Sequence, residues 1–202
     1  MDENLAPQER ADALMEKKLR LVKEEASIVL SPKTWDLHLL TQLLFMADRA
    51  INRMRMEAGT PQMPLRDLEA ASARIVKFTQ KIRSFTGALG GQSFAFGFGF
   101  NPREKEILAR RKNAYVFMPK STEGTTLANL FISLDAAYCE FKVKSPLHEI
   151  AALAEAIDTM HGLVKEFHEI TADLTTKTRT IFKKPYGLAT YLRNAPGDGG
   201  EA

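Results

Sequence analysis

The residues best suited to metal chemistry lie near the C-terminal end of the sequence. His161 and His168 are spaced so that they share one face of a helix, and Asp158 precedes His161 by about one turn. A dimetal site in a helical bundle needs Glu-x-x-His motifs from two helices, and this helix alone offers anything similar. Both histidines flank an apolar stripe. We therefore expect part-buried structural side chains and no metal site.

Nucleophiles and nucleotide-binding loops give no stronger signal. Cys139 is the single cysteine, so the chain cannot form an internal disulfide. A catalytic cysteine needs a base or a helix N-terminus to lower its pKa, and the nearest histidine in the sequence is His148. The glycine pair Gly97-x-Gly99 has Pro102 where a nucleotide fingerprint needs a third glycine. These patterns predict a protein that is not an enzyme and holds no cofactor.

Basic residues beside short predicted strands indicate a macromolecular ligand. Arg110-Arg111-Lys112 leads into a strand predicted over residues 113–118, in which alternate side chains share a face. A second strand is predicted over residues 140–144, and a further basic cluster lies near the C-terminus. A two-stranded ribbon can enter the major groove of DNA and contact bases through its outward side chains. The predicted DNA-contacting residues are Arg110, Arg111, Lys112, Asn113, Tyr115, Lys142, Lys144, Lys183 and Lys184.

Composition limits the class of protein without deciding its function. Hydrophobic residues make up 45% of the 202 residues and charged residues 26%, which is typical of a globular chain. The formal charge of +3 is too balanced to indicate nucleic-acid binding by itself, so an ordinary solvated surface is the simplest explanation of any single basic cluster. The start Met1-Asp2-Glu3-Asn4 lacks the features of a signal peptide, and no apolar run approaches the roughly 20 residues of a membrane span. We expect a cytoplasmic protein with no membrane contact.

The elements that must position these residues are mainly helical. Hydrophobic spacing and turn residues predict a mainly α fold, a helical bundle with a small β component. Helices are predicted over 8–24, 32–56, 64–89, 103–112, 125–138 and 145–182, and strands over 26–30, 113–118 and 140–144. Three regions follow: a helical arm over 1–25, a single core domain over 26–184, and a loop with a disordered tail over 185–202.

Two helices carry the clearest apolar stripes. The helix that is expected to start at Ser31-Pro32 places Trp35, Leu39, Leu43 and Met46 three or four residues apart. The last helix has a heptad-like seam, which favours a bundle or a paired helix and could hold a partner helix or subunit. The seam residues are Ile150, Leu153, Ile157, Met160, Val164, Phe167 and Leu174.

Phenylalanines alternate with small residues from Phe94 to Phe100. In an extended strand this alternation places all four rings on one face. Such a strand would pack on a core, and the alternative is a loop that offers an aromatic face to a partner.

The segment Ile28–Gly59 resembles part of the AcaB-like proteins of plasmids and integrating conjugative elements. The shared arrangement is a short strand, Ser31-Pro32, a leucine-rich helix, Asp48 and a glycine, and it covers about a quarter of the chain. The resemblance implies a dimeric ribbon-helix-helix transcription regulator that acts on conjugation genes. The charges that precede the first strand are mixed, so the strands near residues 110–118 and 140–144 suit DNA better.

The sequence therefore leaves two hypotheses. The first is a non-enzymatic, DNA-binding regulator of a bacterial mobile genetic element. The second is a structural or adaptor protein of a transfer or phage apparatus that holds a partner protein through its helical seam.

Overall fold

The computed structural model describes residues 7–24, 26–91, 102–144 and 149–181. These residues form a mainly helical fold with one small antiparallel sheet, as the sequence predicts. In chain order the elements are α1 (Pro7–Val22), β1 (Ile28–Leu30), α2 (Trp35–Met56), α3 (Leu65–Ala88), α4 (Pro102–Ala109), β2 (Tyr115–Phe117), α5 (Thr122–Lys144) and α6 (Ile150–Ile181).

Helices α2, α3, α5 and α6 form a bundle around one hydrophobic core. Helix α2 packs against both α5 and α6, and α3 packs against the same two helices. Phe167 lies at the centre, with its ring stacked on Phe78 at a centroid distance of 4.8 Å and edge-on to Phe131 at 5.6 Å. These rings are fully buried, so they contribute much of the hydrophobic stabilisation of the bundle.

The two-stranded ribbon lies between the bundle and a second, smaller core. Leu30 of β1 pairs with Tyr115 of β2, and Val29 pairs with Val116. Because side chains alternate along a strand, Leu30 and Tyr115 join the bundle core, whereas Val29 and Val116 pack with Val22 and residues around α4. Both faces of the ribbon are therefore covered.

The strand predicted over residues 140–144 is wrong, because this segment is the last turn of α5. Tyr138 is buried in the bundle core and Phe141 is packed against that core three residues later, which is helical spacing. Lys144 also pairs with Glu140 one turn away. The alternation of charged and apolar residues imitated a strand, but the segment continues the amphipathic pattern of the helix.

The start of α2 also differs from the prediction. The N-cap is Thr34, whose hydroxyl accepts the Leu37 N–H at 3.5 Å, and neither Ser31 nor Pro32 is helical. The residues between β1 and Thr34 instead form a loop beside the C-terminal half of α5. Trp35, which the stripe placed in the core, is 71% exposed.

The buried stripe of α6 faces the interior of its own bundle. Met160, Phe167 and Leu174 of the predicted seam are buried against other helices of the chain, while Ile150 is 67% exposed. These three residues are therefore used within the bundle, while Leu153, Ile157 and Val164 of the seam are only partly buried. The phenylalanine stretch from Phe94 to Phe100 and the C-terminal tail lie outside the described residues.

Candidate functional site

The loop that joins α4 to β2 presents the first predicted basic cluster. Arg110, Arg111 and Lys112 are all exposed. The Asn113 side chain donates a hydrogen bond to the Pro32 carbonyl at 2.6 Å, which fixes this loop against the loop between β1 and α2. Two loops that are distant in the sequence therefore meet at one edge of the molecule.

This juxtaposition adds Lys33, which the sequence analysis did not place in the site, beside Lys142, which it predicted to contact DNA. Exposed Lys33 lies in the β1–α2 loop and lines the same cavity as Arg111. Exposed Lys142 is on α5, seven residues after Asp135, so helical spacing places it on the same side of α5 as Asp135, whose Oδ1 accepts the Lys33 N–H. We call the five residues Lys33, Arg110, Arg111, Lys112 and Lys142 the cationic face.

The residues of the cationic face form no salt bridge within the described ranges. Basic residues elsewhere are often paired with acids. Arg74 and Lys81 of α3 pair with Asp173 and Glu166 of α6 at 2.8 Å and 2.7 Å. Lys144, which was predicted to contact DNA, pairs with Glu140 and thereby lowers the pKa of that carboxyl group.

Tyr115 does not face solvent, in contrast to its predicted role in a base-reading ribbon. It is only 3% exposed, and its hydroxyl lies 2.8 Å from Nε2 of His38. The whole of β2 is buried. A ribbon that is covered on both faces cannot insert into a DNA groove, so β1 and β2 do not read bases as the sequence analysis predicted. Lys183 and Lys184 lie outside the described residues.

A cavity of about 280 Å³ opens beside the cationic face. Its apolar wall includes Leu30, Leu37, Phe131 and Ile132, and its polar wall includes Asp135. The residues of these two walls belong to β1, α2 and α5, so the cavity lies where the ribbon meets the bundle. Arg111 and Lys33 are the cations that line it.

Asp135 is the buried carboxylate of this cavity and is 7% exposed. Its Oδ1 accepts the Lys33 N–H at 3.1 Å and has the Cys139 thiol at 3.9 Å. Burial raises the pKa of Asp135, and the hydrogen bond and charge of Lys33 offset part of that rise. Oδ2 has no hydrogen-bond partner among the described residues.

Cys139 is not an activated nucleophile in this setting. Burial raises the pKa of its thiol, and the negative charge of Asp135 raises it further. The protonated thiol is the form that this environment favours, whereas nucleophilic attack needs the thiolate.

A second concave surface, the α2–α6 groove, lies on another side of the bundle. Its lining is mostly apolar and includes the exposed Trp35 together with Leu39, Met46 and Val164, and its volume is about 470 Å³. His161 and His168 of the sequence analysis also line this groove.

Both histidines are exposed, whereas the sequence analysis expected part-buried side chains. Nε2 of His161 is 3.6 Å from Oδ1 of Asp36, and the His161 side chain is 63% exposed. Within the described ranges, no group of three or more His, Cys, Asp or Glu side chains is arranged to hold a metal ion.

No protein-family model matches the chain, and comparisons with curated proteins and with solved structures return no significant match. In the part of the chain that the structure describes, every helix is too short or too polar to span a membrane.

Proposed function

We propose that the protein is a non-enzymatic, DNA-binding transcription regulator of a bacterial mobile genetic element, and that it holds the DNA backbone with its cationic face. The observation that supports this most strongly is the cationic face itself: five exposed cations from three segments, two of which line one cavity, with no salt bridge among the described residues. The assignment to conjugation genes rests on the resemblance to the AcaB-like proteins.

The buried ribbon determines which kind of contact we propose. Phosphate contacts supply sequence-independent affinity and orient a protein on the duplex, whereas base contacts supply specificity. Arginine and lysine side chains on exposed loops suit the first task. Asn113 is exposed, but its amide nitrogen already donates to Pro32, so it is a weak candidate for reading adenine. The cationic face therefore favours backbone binding over base recognition.

Titration of a fluorescent mixed-sequence duplex at low salt tests the proposal. The wild-type protein should raise the anisotropy, and the triple variant Arg110→Gln/Arg111→Gln/Lys112→Gln should bind at least about tenfold more weakly, because each lost phosphate contact reduces counterion release. The matched control is Arg66→Gln/Lys77→Gln/Arg83→Gln, which removes the same charge from exposed positions of α3.

Two results would contradict the proposal. One is an absence of binding by the wild-type protein at low salt. The other is an equal loss of affinity in the two triple variants, which would show that net charge alone and no particular surface is responsible.

The α2–α6 groove favours a second candidate function, that of an adaptor that holds a partner helix. An amphipathic helix can lay its apolar face in such a groove, and the 71% exposure of Trp35 is unusual for so large an apolar side chain. Trp35 is the single tryptophan of the chain, so its emission reports directly on this groove. A shift of that emission to shorter wavelengths when a protein encoded by a neighbouring gene is added would support the adaptor function, and the Trp35→Ala variant should then lose binding to that protein.

A further inference from the structure

The cavity beside the cationic face has the features of a small-molecule site. It is lined by a buried carboxylate, two exposed cations and an apolar wall, which is the usual composition of a ligand pocket. Its volume of about 280 Å³ is near the lower end of the range for ligand pockets, roughly 300–1,000 Å³. A ligand no larger than a single free amino acid fits this space.

Two polar groups of the cavity wall lack partners. Oδ2 of Asp135 has no hydrogen bond among the described residues, although Oδ1 is bound by the Lys33 N–H. The hydroxyl of Ser31, another lining residue, is buried without a partner in the described structure. The Ser31 hydroxyl is buried, so leaving it unpaired is costly, and a ligand that supplies a partner there is stabilised by more than its apolar contacts. Thr41 also lines the cavity, but its hydroxyl already donates to the Leu37 carbonyl.

The charge of the site selects the kind of ligand. Lys33 and Arg111 contribute two positive charges and Asp135 contributes at most one negative charge, so the cavity is net positive and suits a monoanion. Arg111 forms no salt bridge in the described structure, and its planar guanidinium matches a carboxylate. The free Oδ2 of Asp135 requires a hydrogen-bond donor on the same ligand.

We propose that this cavity binds a small organic carboxylate that carries an apolar body and one hydrogen-bond donor. The carboxylate lies against Arg111 and Lys33, the donor binds Oδ2 of Asp135, and the apolar body packs on Phe131 and Ile132. The cavity shares Arg111 and Lys33 with the cationic face, but ligand binding is measured without DNA, so failure of this proposal is distinguishable from failure of the proposed function.

Three related probes separate the parts of the proposal. Phenyllactate carries the carboxylate, the donor and an apolar ring, phenylpropionate lacks the donor, and phenethylamine replaces the anion by a cation. Each is titrated into the isotopically labelled full-length protein, and amide shifts are followed by NMR. Phenyllactate should shift the amides of Lys33, Ile132 and Asp135 and should bind about tenfold more tightly than phenylpropionate, because it alone can donate a hydrogen bond to Asp135. Phenethylamine should cause no shifts there.

Variants of two adjacent arginines provide the matched control. Arg111→Gln removes the cation that lines the cavity and should weaken phenyllactate binding about tenfold. Arg110→Gln changes the same charge on the same loop, but Arg110 does not line the cavity, so this variant should bind like the wild-type protein.

Asp135→Asn tests the hydrogen bond from the ligand's donor while it keeps the hydrogen bond from the Lys33 N–H. The amide oxygen can still accept the Lys33 N–H, which leaves an NH₂ group where Oδ2 faces the ligand. In this variant the ligand hydroxyl can only accept from a neutral amide, so the preference for phenyllactate over phenylpropionate should fall well below tenfold. The proposal is overturned if no probe shifts the cavity amides at millimolar concentration, if phenethylamine binds as well as phenyllactate, or if Arg111→Gln has no effect.

Discussion

Helix α5 carries a buried aspartate contact near each end, and the two contacts differ in how completely the carboxylate is used. Near the start of α5, Asp48 of α2 is 2% exposed and accepts hydrogen bonds from the Lys120 N–H, the Ser121 N–H and the Ser121 hydroxyl. Nearer the other end, Asp135 accepts one backbone hydrogen bond and keeps one oxygen free.

This difference separates a structural site from a candidate ligand site. Asp48 satisfies donors at the N-terminus of α5, which helices commonly need, and it thereby fixes α5 antiparallel to α2. The packing there is so close that Gly124 has no room for a side chain, because a Cβ would lie 2.2 Å from Oδ1 of Asp48. Asp135 instead borders a cavity and the cationic face. We therefore expect substitutions at the first site to affect stability and those at the second to affect binding.

The largest expected effect is the loss of stability in Asp48→Ala. The substitution leaves three donors of Lys120 and Ser121 without their acceptor, so the free energy of unfolding should fall by about 3 kcal/mol or more. Asp135→Ala removes a single backbone hydrogen bond and should cost only about 1 kcal/mol. Urea denaturation measures both values, and equal losses would remove the distinction between the two aspartates.

A pair of glycine substitutions should give effects of opposite sign. Gly124→Ala forces Asp48 from its position and should lower stability by about 1–3 kcal/mol. Gly162 is also inside a helix, but an added Cβ there meets no atom within 4 Å. Gly162→Ala should therefore raise stability by about 0.5–1 kcal/mol, since alanine restricts the unfolded chain. A stabilising Gly124→Ala would mean that the contact with Asp48 is looser than described.

The smallest expected effect is a pH dependence that Asp135→Asn removes. Burial raises the pKa of Asp135 in the folded protein above its value in the unfolded chain. As the pH rises from the unfolded pKa through the folded pKa, the unfolded chain releases the proton first, so the wild-type protein loses stability over this interval. The variant lacks this term, so its stability relative to wild type should increase with pH and then level off. A constant difference across the pH series would show that Asp135 has an ordinary pKa when folded.

The sequence predicted the helical elements well because hydrophobic spacing decides them locally. It also predicted the strands of the ribbon, whose β-branched and aromatic residues are bounded by turns. The prediction failed at residues 140–144, because five residues fit both the two-residue repeat of a strand and the 3.6-residue repeat of a helix. It also failed at Trp35, because the apolar stripe continues one turn beyond the packed part of α2.

The candidate site was harder to predict because it depends on contacts between distant segments. The run of cations Arg110-Arg111-Lys112 was visible in the sequence. No neighbouring residue indicated that β2 is covered on both faces or that the Tyr115 hydroxyl forms a hydrogen bond with His38. The position of Lys33 could have indicated a loop cation, since it directly follows the Ser31-Pro32 pair after β1. Its meeting with Arg111 depends on tertiary packing, which spacing does not reveal.

The salt dependence of DNA binding tests the central claim most directly. The logarithm of the association constant falls linearly with the logarithm of salt concentration, with a slope of about −0.9 for each phosphate neutralised. If the cationic face holds the DNA backbone, Arg110→Gln/Arg111→Gln/Lys112→Gln should reduce the magnitude of that slope by about 2–3, while the charge-matched α3 variant leaves it unchanged. Identical slopes in the wild-type protein and the loop variant would contradict the account.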